Sequence, residues 1–233
     1  MDISEVSLTF DALWNNINSN MAPGLNPYEK SLFLTQAKEQ IVRELYEGNG
    51  LTTPGFESTE SMMEALQPLV RHFTYFADKP TEDTLSINSR VFIPLTGNNN
   101  TAPKIMYIVY EEVSGCSGDC DNKTLLVTPV THNDFYNVNQ NPFKGPKSNN
   151  RALRLLTKDA IEIILPEGLS FGGYTMRYLT YPQPIILSGI LPTTLTINGV
   201  SCAQATTDLE LPEFLHRPII MRAVAIAKAA WNS

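Results

Sequence analysis

The chain opens with two segments in which apolar residues recur at spacings of three and four, the period of one α-helix face. The first covers residues 3–17, and the second begins at Asn26 and ends at Gly48 or Gly50. The repeating positions are Ile3, Val6, Phe10, Leu13, Trp14 and Ile17 in the first segment and Leu34, Ala37, Ile41 and Leu45 in the second. Neither helix can bury its stripe alone, so the pattern predicts that other helices pack against both.

Capping signals support the start of both helices. Asn26 is a good N-cap residue, and Pro27 stands at the first helical position, where a missing N–H costs nothing. Glu29 has the spacing that closes a capping box with Asn26. Asp2 and Glu5 have the same spacing at the start of the first helix.

Two further helices are predicted, one after the second helix and one at the C-terminus. A short third helix starts near Ser58 and ends or kinks at Pro68, because proline removes a backbone donor and clashes with the preceding turn. The C-terminal helix starts near Leu211, and Pro218 either kinks it or starts its main part. Its apolar stripe consists of Ile220, Ala223, Val224, Ala227 and Trp231.

Between these helices, the pattern changes to short runs rich in β-branched and aromatic residues, which is typical of strands. The predicted strands cover residues 88–95, 104–113, 124–130, 151–157, 160–165, 174–181, 185–191 and 194–200. Residues 115–122 are predicted as a Gly- and Asp-rich loop, and Lys158-Asp159 as the turn of a hairpin.

Helices, then strands, then a helix predict an α+β fold in which terminal helices form a bundle with an inserted antiparallel β domain. We expect the bundle to comprise residues 1–72 plus 205–233 and the β domain residues 73–204. A long polar loop at 131–150 lies inside the β domain.

Composition excludes several classes of protein. The net charge of −7 argues against a broad nucleic-acid-binding face, which needs clustered Lys and Arg. Three unevenly spaced cysteines do not form a secreted disulfide framework. The acidic N-terminus does not resemble a signal peptide, and no apolar run is long enough to cross a bilayer. We expect a protein of a reducing cytoplasm or of a particle assembled there.

One stretch, Gly168 to Gly172, matches the G-x-S-x-G pattern of a hydrolase nucleophile elbow, with Ser170 as the nucleophile. Asp208 and His216 follow in the order that α/β-hydrolases use. An elbow needs a strand before the serine and a helix after it, whereas the residues after Gly172 have a strand pattern. A glycine-rich turn between two strands is the favoured interpretation, and the hydrolase alternative requires the three side chains within hydrogen-bonding reach.

No cofactor or metal site is predicted. Cys116 and Cys120 are four positions apart, but Cys202 is distant, and zinc usually takes four ligands from paired motifs. An acidic loop nearby lacks the glycine and the bidentate glutamate of a calcium-binding EF-hand. Its candidate ligands are Asp119, Asp121 and Asn122. There is also no phosphate-binding P-loop sequence.

The long segment at 131–150 is the main interface candidate, because loops of this length are usually functional or become ordered on binding. The candidate contact residues are Phe135, Tyr136, Asn141, Pro142, Phe143 and Lys144. A diffuse basic cluster overlaps the segment and suits a partner or phosphate contact, or simply a solvated loop. It comprises Lys144, Lys147, Arg151 and Arg154.

Three stretches together resemble ring proteins of crAss-like tailed phages, which stack below the portal. They are NPYEKSLFLTQAKEQIVRELY at 26–46, NQNPFKGP at 139–146 and LELPEFLHRPIIMRAV at 209–224. In arrangement the chain is also similar to the tail tubular protein A family of short-tailed phages, which has terminal helices around a β insert. Pro218 departs from the continuous last helix of this pattern.

The resemblance implies a non-enzymatic, ring-forming head-to-tail connector of the virion, assembled in the bacterial host cytoplasm. The expected partners are further copies in a dodecameric ring, the portal protein, adjacent tail or ring proteins, and packaged DNA held only non-specifically in the channel, with no membrane. The alternative is a tail-associated module whose β insert binds a polymer or carbohydrate. Exposed aromatics on one sheet face would favour it, with Tyr107, Tyr110, Tyr174 and Tyr178 as the candidates.

Overall fold

A computed structural model of the 233-residue chain describes residues 1–15, 24–48, 60–76, 90–95, 103–117, 121–146, 151–187, 195–202 and 209–231. The chain divides into two compact units. The helical unit comprises Met1–Leu69 and Tyr181–Ser233, and the β unit, Val70–Thr180, is inserted into it. This arrangement confirms the predicted α+β fold class. The units divide after Leu69 and Thr180, whereas the sequence pattern places the divisions after residues 72 and 204.

The helical unit contains four of the five described α-helices. They are α1 (Ile3–Asn15), α2 (Pro27–Glu47), α3 (Glu60–Leu66), which continues as a 3₁₀ turn at Gln67–Leu69, and α5 (Glu213–Trp231). Helix α5 packs on α1 and α2, and α3 packs on α2. The buried side chains include Val6, Phe10, Trp14, Leu34, Ala37, Ile41, Ile220, Ala223, Val224 and Ala227. The C-terminal helix therefore returns to the N-terminal helices, as the shared apolar stripes predict.

Local signals define the ends of α2 as predicted. Asn26 Oδ1 accepts a hydrogen bond from the Glu29 amide at 2.8 Å, and Glu29 Oε2 accepts one from the Asn26 amide at 2.9 Å. The helix ends before Gly48, whose positive φ of 77° favours glycine. At the start of α1, the Glu5 carboxylate accepts a hydrogen bond from the Asp2 amide, which corresponds to the bond between Glu29 and the Asn26 amide.

The two prolines have different effects on their helices. Helix α3 ends at Leu66, and Pro68 lies in the 3₁₀ turn that follows, so the predicted break is confirmed. Pro218 lies inside α5, five residues after its start, and therefore does not start the helix. Burial of the α5 stripe ends at Ala227, because Trp231 in the last turn is 54% exposed.

The β unit contains one seven-stranded sheet in the order β1-β7-β3-β4-β5-β6-β2. Its strands are β1 (Val70–Phe76), β2 (Arg90–Pro94), β3 (Ile105–Ser117), β4 (Asp121–Pro129), β5 (Arg151–Leu156), β6 (Ala160–Ile164) and β7 (Ser170–Thr180). All neighbouring pairs are antiparallel except β4 and β5, which are parallel. The inserted β domain is therefore antiparallel as predicted, with the exception of this one pair.

The parallel pair explains the long segment at 131–150. Parallel neighbours cannot be joined by a tight turn and need a crossover of about a dozen residues, usually with a helix. Here the crossover contains helix α4 (Phe135–Gln140), so the prediction of a loop throughout is wrong for these residues. Residues 147–150 lie outside the described ranges.

Two other predictions in the sheet need correction. The sequence pattern does not predict β1, whose seven residues pair with β7 in continuous register from Val70 to Phe76. The predicted loop at 115–122 is mostly strand, because β3 continues to Ser117 and β4 begins at Asp121. Strand β1 forms because it pairs with the distant strand β7 in spite of its polar residues. The glycine-rich stretch forms strand because β3 and β4 pair with each other. The hairpin around Lys158-Asp159 is confirmed.

One face of the sheet forms the main core of the β unit. It draws buried or partly buried apolar side chains from all seven strands, including Val91, Ile93, Val113, Leu125, Val127, Ala152, Ile161, Ile163, Tyr174 and Met176. A smaller cluster on β5 and β6 consists of Leu153, Leu155 and Ile164, and α4 packs on it through Phe135 and Val138. The helix of the crossover is thus attached to the sheet by an apolar face.

In the helical unit, polar residues of α2 are buried because they bind the backbone of a non-helical segment. Ser31 Oγ accepts a hydrogen bond from the Leu187 amide, and Thr35 Oγ1 accepts one from the Ile185 amide, both at 3.0 Å. The two hydroxyls lie one helical turn apart, and the two amides lie one extended repeat apart. The predicted strand at 185–191 is therefore wrong for residues 185–187, and residues 188–191 lie outside the described ranges.

Lys38 continues this contact one turn further along α2. Its ammonium donates to the Gln183 carbonyl and to Glu210 Oε2, each at 3.0 Å, and Glu210 Oε2 also accepts from the Gln183 amide at 2.8 Å. The lysine side chain is almost completely buried. A buried charge is tolerated only when it is paired and hydrogen-bonded, which these contacts provide.

We expect Lys38→Met to lower the free energy of unfolding by about 2 kcal/mol, because Glu210 loses its cation and the Gln183 carbonyl loses a donor. Urea unfolding at pH 7 measures the change as a lower midpoint at constant slope. Lys30→Met is the matched control on the same helix. Lys30 pairs with the partly exposed Asp11, so its loss should stay below about 1 kcal/mol. Equal losses would contradict the assignment.

The predicted strand at 194–200 is instead a small hairpin of β8 (Thr196–Ile197) and β9 (Val200–Ser201). Asn198 and Gly199 form its turn with φ of 50° and 78°. Asn-Gly with two positive φ angles is the preferred sequence for a tight hairpin turn, and this signal divides the predicted strand in two.

Candidate functional site

The crossover between β4 and β5 carries all six residues predicted to form an interface, and it begins with an ordered turn. Thr131 Oγ1 donates to the Asp134 carboxylate at 2.8 Å and lies 3.3 Å from the Asp134 amide. Helix α4 follows, and its first residue, Phe135, packs on the cluster of β5 and β6. The Arg90 guanidinium lies 5.1 Å from the Phe135 ring centroid, a favourable cation–π distance. Phe135 therefore anchors α4 to the sheet.

The second half of the crossover is a turn with defined geometry. Asn141 Oδ1 accepts hydrogen bonds from the amides of Phe143 and Lys144 at 2.9 and 3.2 Å. The Gly145 amide donates back to the Asn141 carbonyl at 2.8 Å. A Cβ at Gly145 would lie 2.8 Å from the carbonyl oxygens of Asn139 and Asn141, so only glycine fits there. The turn is thus specified by its asparagine and its glycine.

Two aromatic side chains of the crossover face solvent. Tyr136 on α4 is 73% exposed, and Phe143 at the tip of the Asn141 turn is 80% exposed. Large aromatic side chains carry much of the binding energy in protein interfaces, and their exposure leaves apolar surface in water. The hydrogen bonds of the turn fix the backbone at Phe143, so little conformational entropy is lost when a partner binds there.

Beside this turn lies an open cavity of about 360 Å³. It is lined by Thr128, Pro129, Val130, Thr131, Asp134, Val138, Lys144 and Arg151. In the described part of the chain, Lys144 and Arg151 form no ion pair. These two members of the predicted basic cluster therefore meet at one cavity, whereas Lys147 lies outside the described residues.

The fourth member of the predicted cluster, Arg154, lies in the sheet with only 12% of its side chain exposed. Its Nε lies 3.0 Å from Glu111 Oε2 as an ion pair, although the N–H is not aimed at that oxygen. The Tyr174 hydroxyl donates to the other oxygen of Glu111. Burial raises the pKa of Glu111, and the Tyr174 hydroxyl and the Arg154 charge oppose that rise. Burial and the neighbouring carboxylate raise the pKa of Tyr174. This network lies in the core and is not a surface contact.

The hydrolase interpretation lacks its structural context. Ser170 is the first residue of strand β7, so a strand and not a helix follows the serine. His216 Nε2 lies 2.8 Å from the Leu211 carbonyl and is occupied by that hydrogen bond. Asp208 lies outside the described residues. Ser170 therefore does not stand on a nucleophile elbow, and the favoured interpretation of Gly168 to Gly172 as a turn leading into a strand fits the structure.

Most candidate metal ligands lie where the structure describes no side chain. Asp119 and Cys120 lie outside the described residues, as do the side chains of Cys116, Asp121 and Asn122. Among the described side chains, no group of three or more His, Cys, Asp or Glu could hold a metal ion. No helix in the described ranges is long and apolar enough to span a bilayer.

The four tyrosines that would favour a carbohydrate-binding sheet do not form an exposed face. Tyr174 and Tyr178 belong to the core of the β unit. Tyr107 is half-buried. Tyr110 is exposed, its hydroxyl donates to Glu112, and the Arg177 guanidinium lies 5.8 Å from its ring centroid. Of the four, only Tyr110 is exposed, so they do not supply the clustered aromatic face that would favour the polymer-binding alternative.

Of the predicted interface residues, the structure brings Asn141, Phe143 and Lys144 together in one turn. The predicted set did not include Gly145 or Asp134. The sequence N-P-F-K-G already contains the turn chemistry that could have identified Gly145. The place of Asp134 in the cavity is not a local property of the sequence, because Asp134 lines the same cavity as Arg151 of the neighbouring strand β5.

The protein is thus of the α+β class, with a mixed sheet inserted into a helical bundle. Its ordered crossover between β4 and β5 carries exposed aromatic and basic side chains. Comparison with known proteins gives the family. The sequence profile of the phage tail ring protein 3/4 family matches residues 1–233, and the chain belongs to that family. The predicted resemblance to ring proteins of crAss-like phages is therefore confirmed.

Two relatives come from Bacteroides phage crAss001. The chain is 30% identical to "Ring protein 4/5" over 239 residues, which covers 100% of this chain and 94% of the relative. It is 34% identical to "Ring protein 3" over 230 residues, which covers 97% of this chain and 95% of the relative. The matches span both units, so the chain is a structural ring protein of a phage virion.

Proposed function

We propose that copies of this chain assemble into a ring, with twelve copies as the expected number, that connects the portal to the tail. The ring assembles in the host cytoplasm and surrounds the channel through which DNA passes. Family membership supports the ring, and the net charge of −7 suits a channel to which DNA does not bind tightly. Portal protein and adjacent ring or tail proteins are the proposed partners, and similarity of arrangement to tail tubular protein A stays a prediction.

The observation that carries this proposal is the aromatic surface of the crossover. Tyr136 and Phe143 are both largely exposed, and the turn under Phe143 has the rigidity expected of a contact surface. A ring uses heterologous interfaces, in which two different patches of the same chain meet around a rotation axis. We assign the crossover to one of these patches or to the contact with the next ring.

We expect Tyr136→Ala/Phe143→Ala to reduce ring formation at least tenfold while the free energy of unfolding changes by less than about 0.5 kcal/mol, because exposed side chains contribute little to the fold. Wild type and variant are co-expressed with the portal and neighbouring ring proteins of the same genome. Light scattering and electron microscopy then measure ring-sized complexes.

Phe76→Ala is the matched control, since Phe76 is 68% exposed on strand β1 of the same unit. We expect this variant to form rings as wild type does. A wild-type chain that stays monomeric in the presence of portal and neighbouring ring proteins would contradict the proposed function. Rings that form equally well with the double variant would contradict only the assignment of the crossover.

A further inference from the structure

The cavity beside the Asn141 turn is a basic groove on an acidic protein. Lys144 and Arg151 lie at its wall, both exposed, and neither has an ion-pair partner in the described ranges. The carboxylate of Asp134 also lines the cavity, so the lining has two cations and one anion and a net charge of about +1, which is positive on a chain whose net charge is −7. We name Lys144, Arg151 and the cavity that they line the basic groove.

The basic groove also has apolar walls. Pro129, Val130 and Val138 line it together with the two cations, and the exposed Phe143 precedes Lys144 in the turn. A group that fits here therefore carries carboxylates for the cations and an apolar side chain for the wall. A bare anion would leave the apolar walls uncovered.

Helix α3 presents such a combination on its exposed side. Glu60 and Glu64 are exposed one turn apart, and neither forms an ion pair with a described residue. Glu60 in the first turn interacts favourably with the helix dipole, but like charges at this spacing repel each other, so a cation brought to both carboxylates would relieve that repulsion. Met63 lies between them and is also exposed, whereas Ala65 and Leu66 on the other side are buried.

We infer that the basic groove of one copy receives helix α3 of a second copy. The cations of the groove pair with the carboxylates of Glu60 and Glu64, and Met63 packs on the apolar wall. The two surfaces are different patches of the same chain, so the contact is heterologous and repeats around a closed ring. The inference deepens the proposed function and rests on it, because it names the surfaces by which copies associate.

Charge reversal on each surface tests the inference. We compare Lys144→Glu/Arg151→Glu and Glu60→Lys/Glu64→Lys with wild type by sedimentation velocity at about 50 mM salt, where exposed charges are weakly screened. Each variant alone should associate with itself at least tenfold more weakly than wild type. An equimolar mixture should regain association, because each reversed surface then meets its opposite charge on the other variant.

The effect of net charge alone has the opposite sign for one variant, which provides an internal control. Glu60→Lys/Glu64→Lys moves the net charge of −7 toward neutral, which by itself reduces repulsion between copies. Weaker association of this variant would therefore support a specific contact. Unchanged or stronger association, no gain on mixing, or no association of wild type at low salt would each overturn the inference.

Failure of the inference and failure of the proposed function give different results. In the co-expression experiment with portal and neighbouring ring proteins, rings that form equally well with wild type and with both charge-reversed variants overturn the inference and leave the ring function in place. Absence of rings with wild type overturns the function itself. Loss of rings only with the charge-reversed variants, together with normal urea unfolding of each variant, supports both.

Discussion

Arg154→Met is expected to lower the free energy of unfolding by about 3–5 kcal/mol at pH 7, because it leaves the buried Glu111 carboxylate without its cation. Methionine keeps most of the apolar length of the arginine side chain, so the loss of packing is small. Tyr174 still donates one hydrogen bond to Glu111, which alone does not compensate a buried charge. Urea unfolding monitored by circular dichroism measures the change as a lower midpoint.

The loss of unfolding free energy in Arg154→Met should depend on pH, because Glu111 can take up a proton when its cation is missing. Burial already raises the folded-state pKa of Glu111 above its usual range, and removal of Arg154 removes a charge that lowers it. A carboxyl with a raised folded pKa contributes stability that is fully present below the unfolded pKa and is lost as pH rises through the folded pKa. The destabilisation by Arg154→Met should therefore shrink as the pH falls from neutral toward the folded-state pKa of Glu111.

A double variant is the matched control for this prediction. Glu111→Gln/Arg154→Met removes both charges and keeps an acceptor for the Tyr174 hydroxyl, so its loss at pH 7 should stay below about 2 kcal/mol, and its own stability should have no pH dependence from position 111. A loss in Arg154→Met that is the same at pH 5 and pH 7 would show that Glu111 carries no unpaired charge in that variant.

Ile41→Asp is expected to destabilise the helical unit by about 4 kcal/mol or more, a large fraction of a typical domain's stability. Ile41 is 7% exposed on helix α2, so the substitution removes buried apolar area and places a carboxylate where no described cation pairs with it. The variant should unfold at a much lower urea concentration. If the loss exceeds the stability of the helical unit, the variant should be unfolded even without urea.

Leu32→Asp on the same helix is the control for helix propensity and for added charge. Leu32 is 40% exposed, and a surface substitution of this kind usually changes stability by about 0.5 kcal/mol. Equal midpoints for Ile41→Asp and wild type would mean that this face of α2 is not part of a core.

Several features of this protein follow from its sequence alone, because their signals are local. The capping box of Asn26, the glycine that ends α2 and the hairpin at Lys158-Asp159 each depend on residues within a few positions of one another. The apolar periodicity of α2 and α5 predicts their pairing, since each stripe needs a partner. Family membership is also a property of the sequence, because the three stretches that resemble crAss-like ring proteins are continuous runs of residues.

Other features were decided only by the tertiary structure, because they depend on residues far apart in the chain. The parallel pairing of β4 and β5 turns the apparent loop at 131–150 into a crossover, and Asp134 in the crossover lines the same cavity as Arg151 on β5. The burial of Lys38 depends on Glu210, 172 positions away, and Arg154 leaves the basic cluster because Glu111 lies in the core. A charged side chain has the same sequence pattern on a surface and in a core, and only its distant partner decides between them.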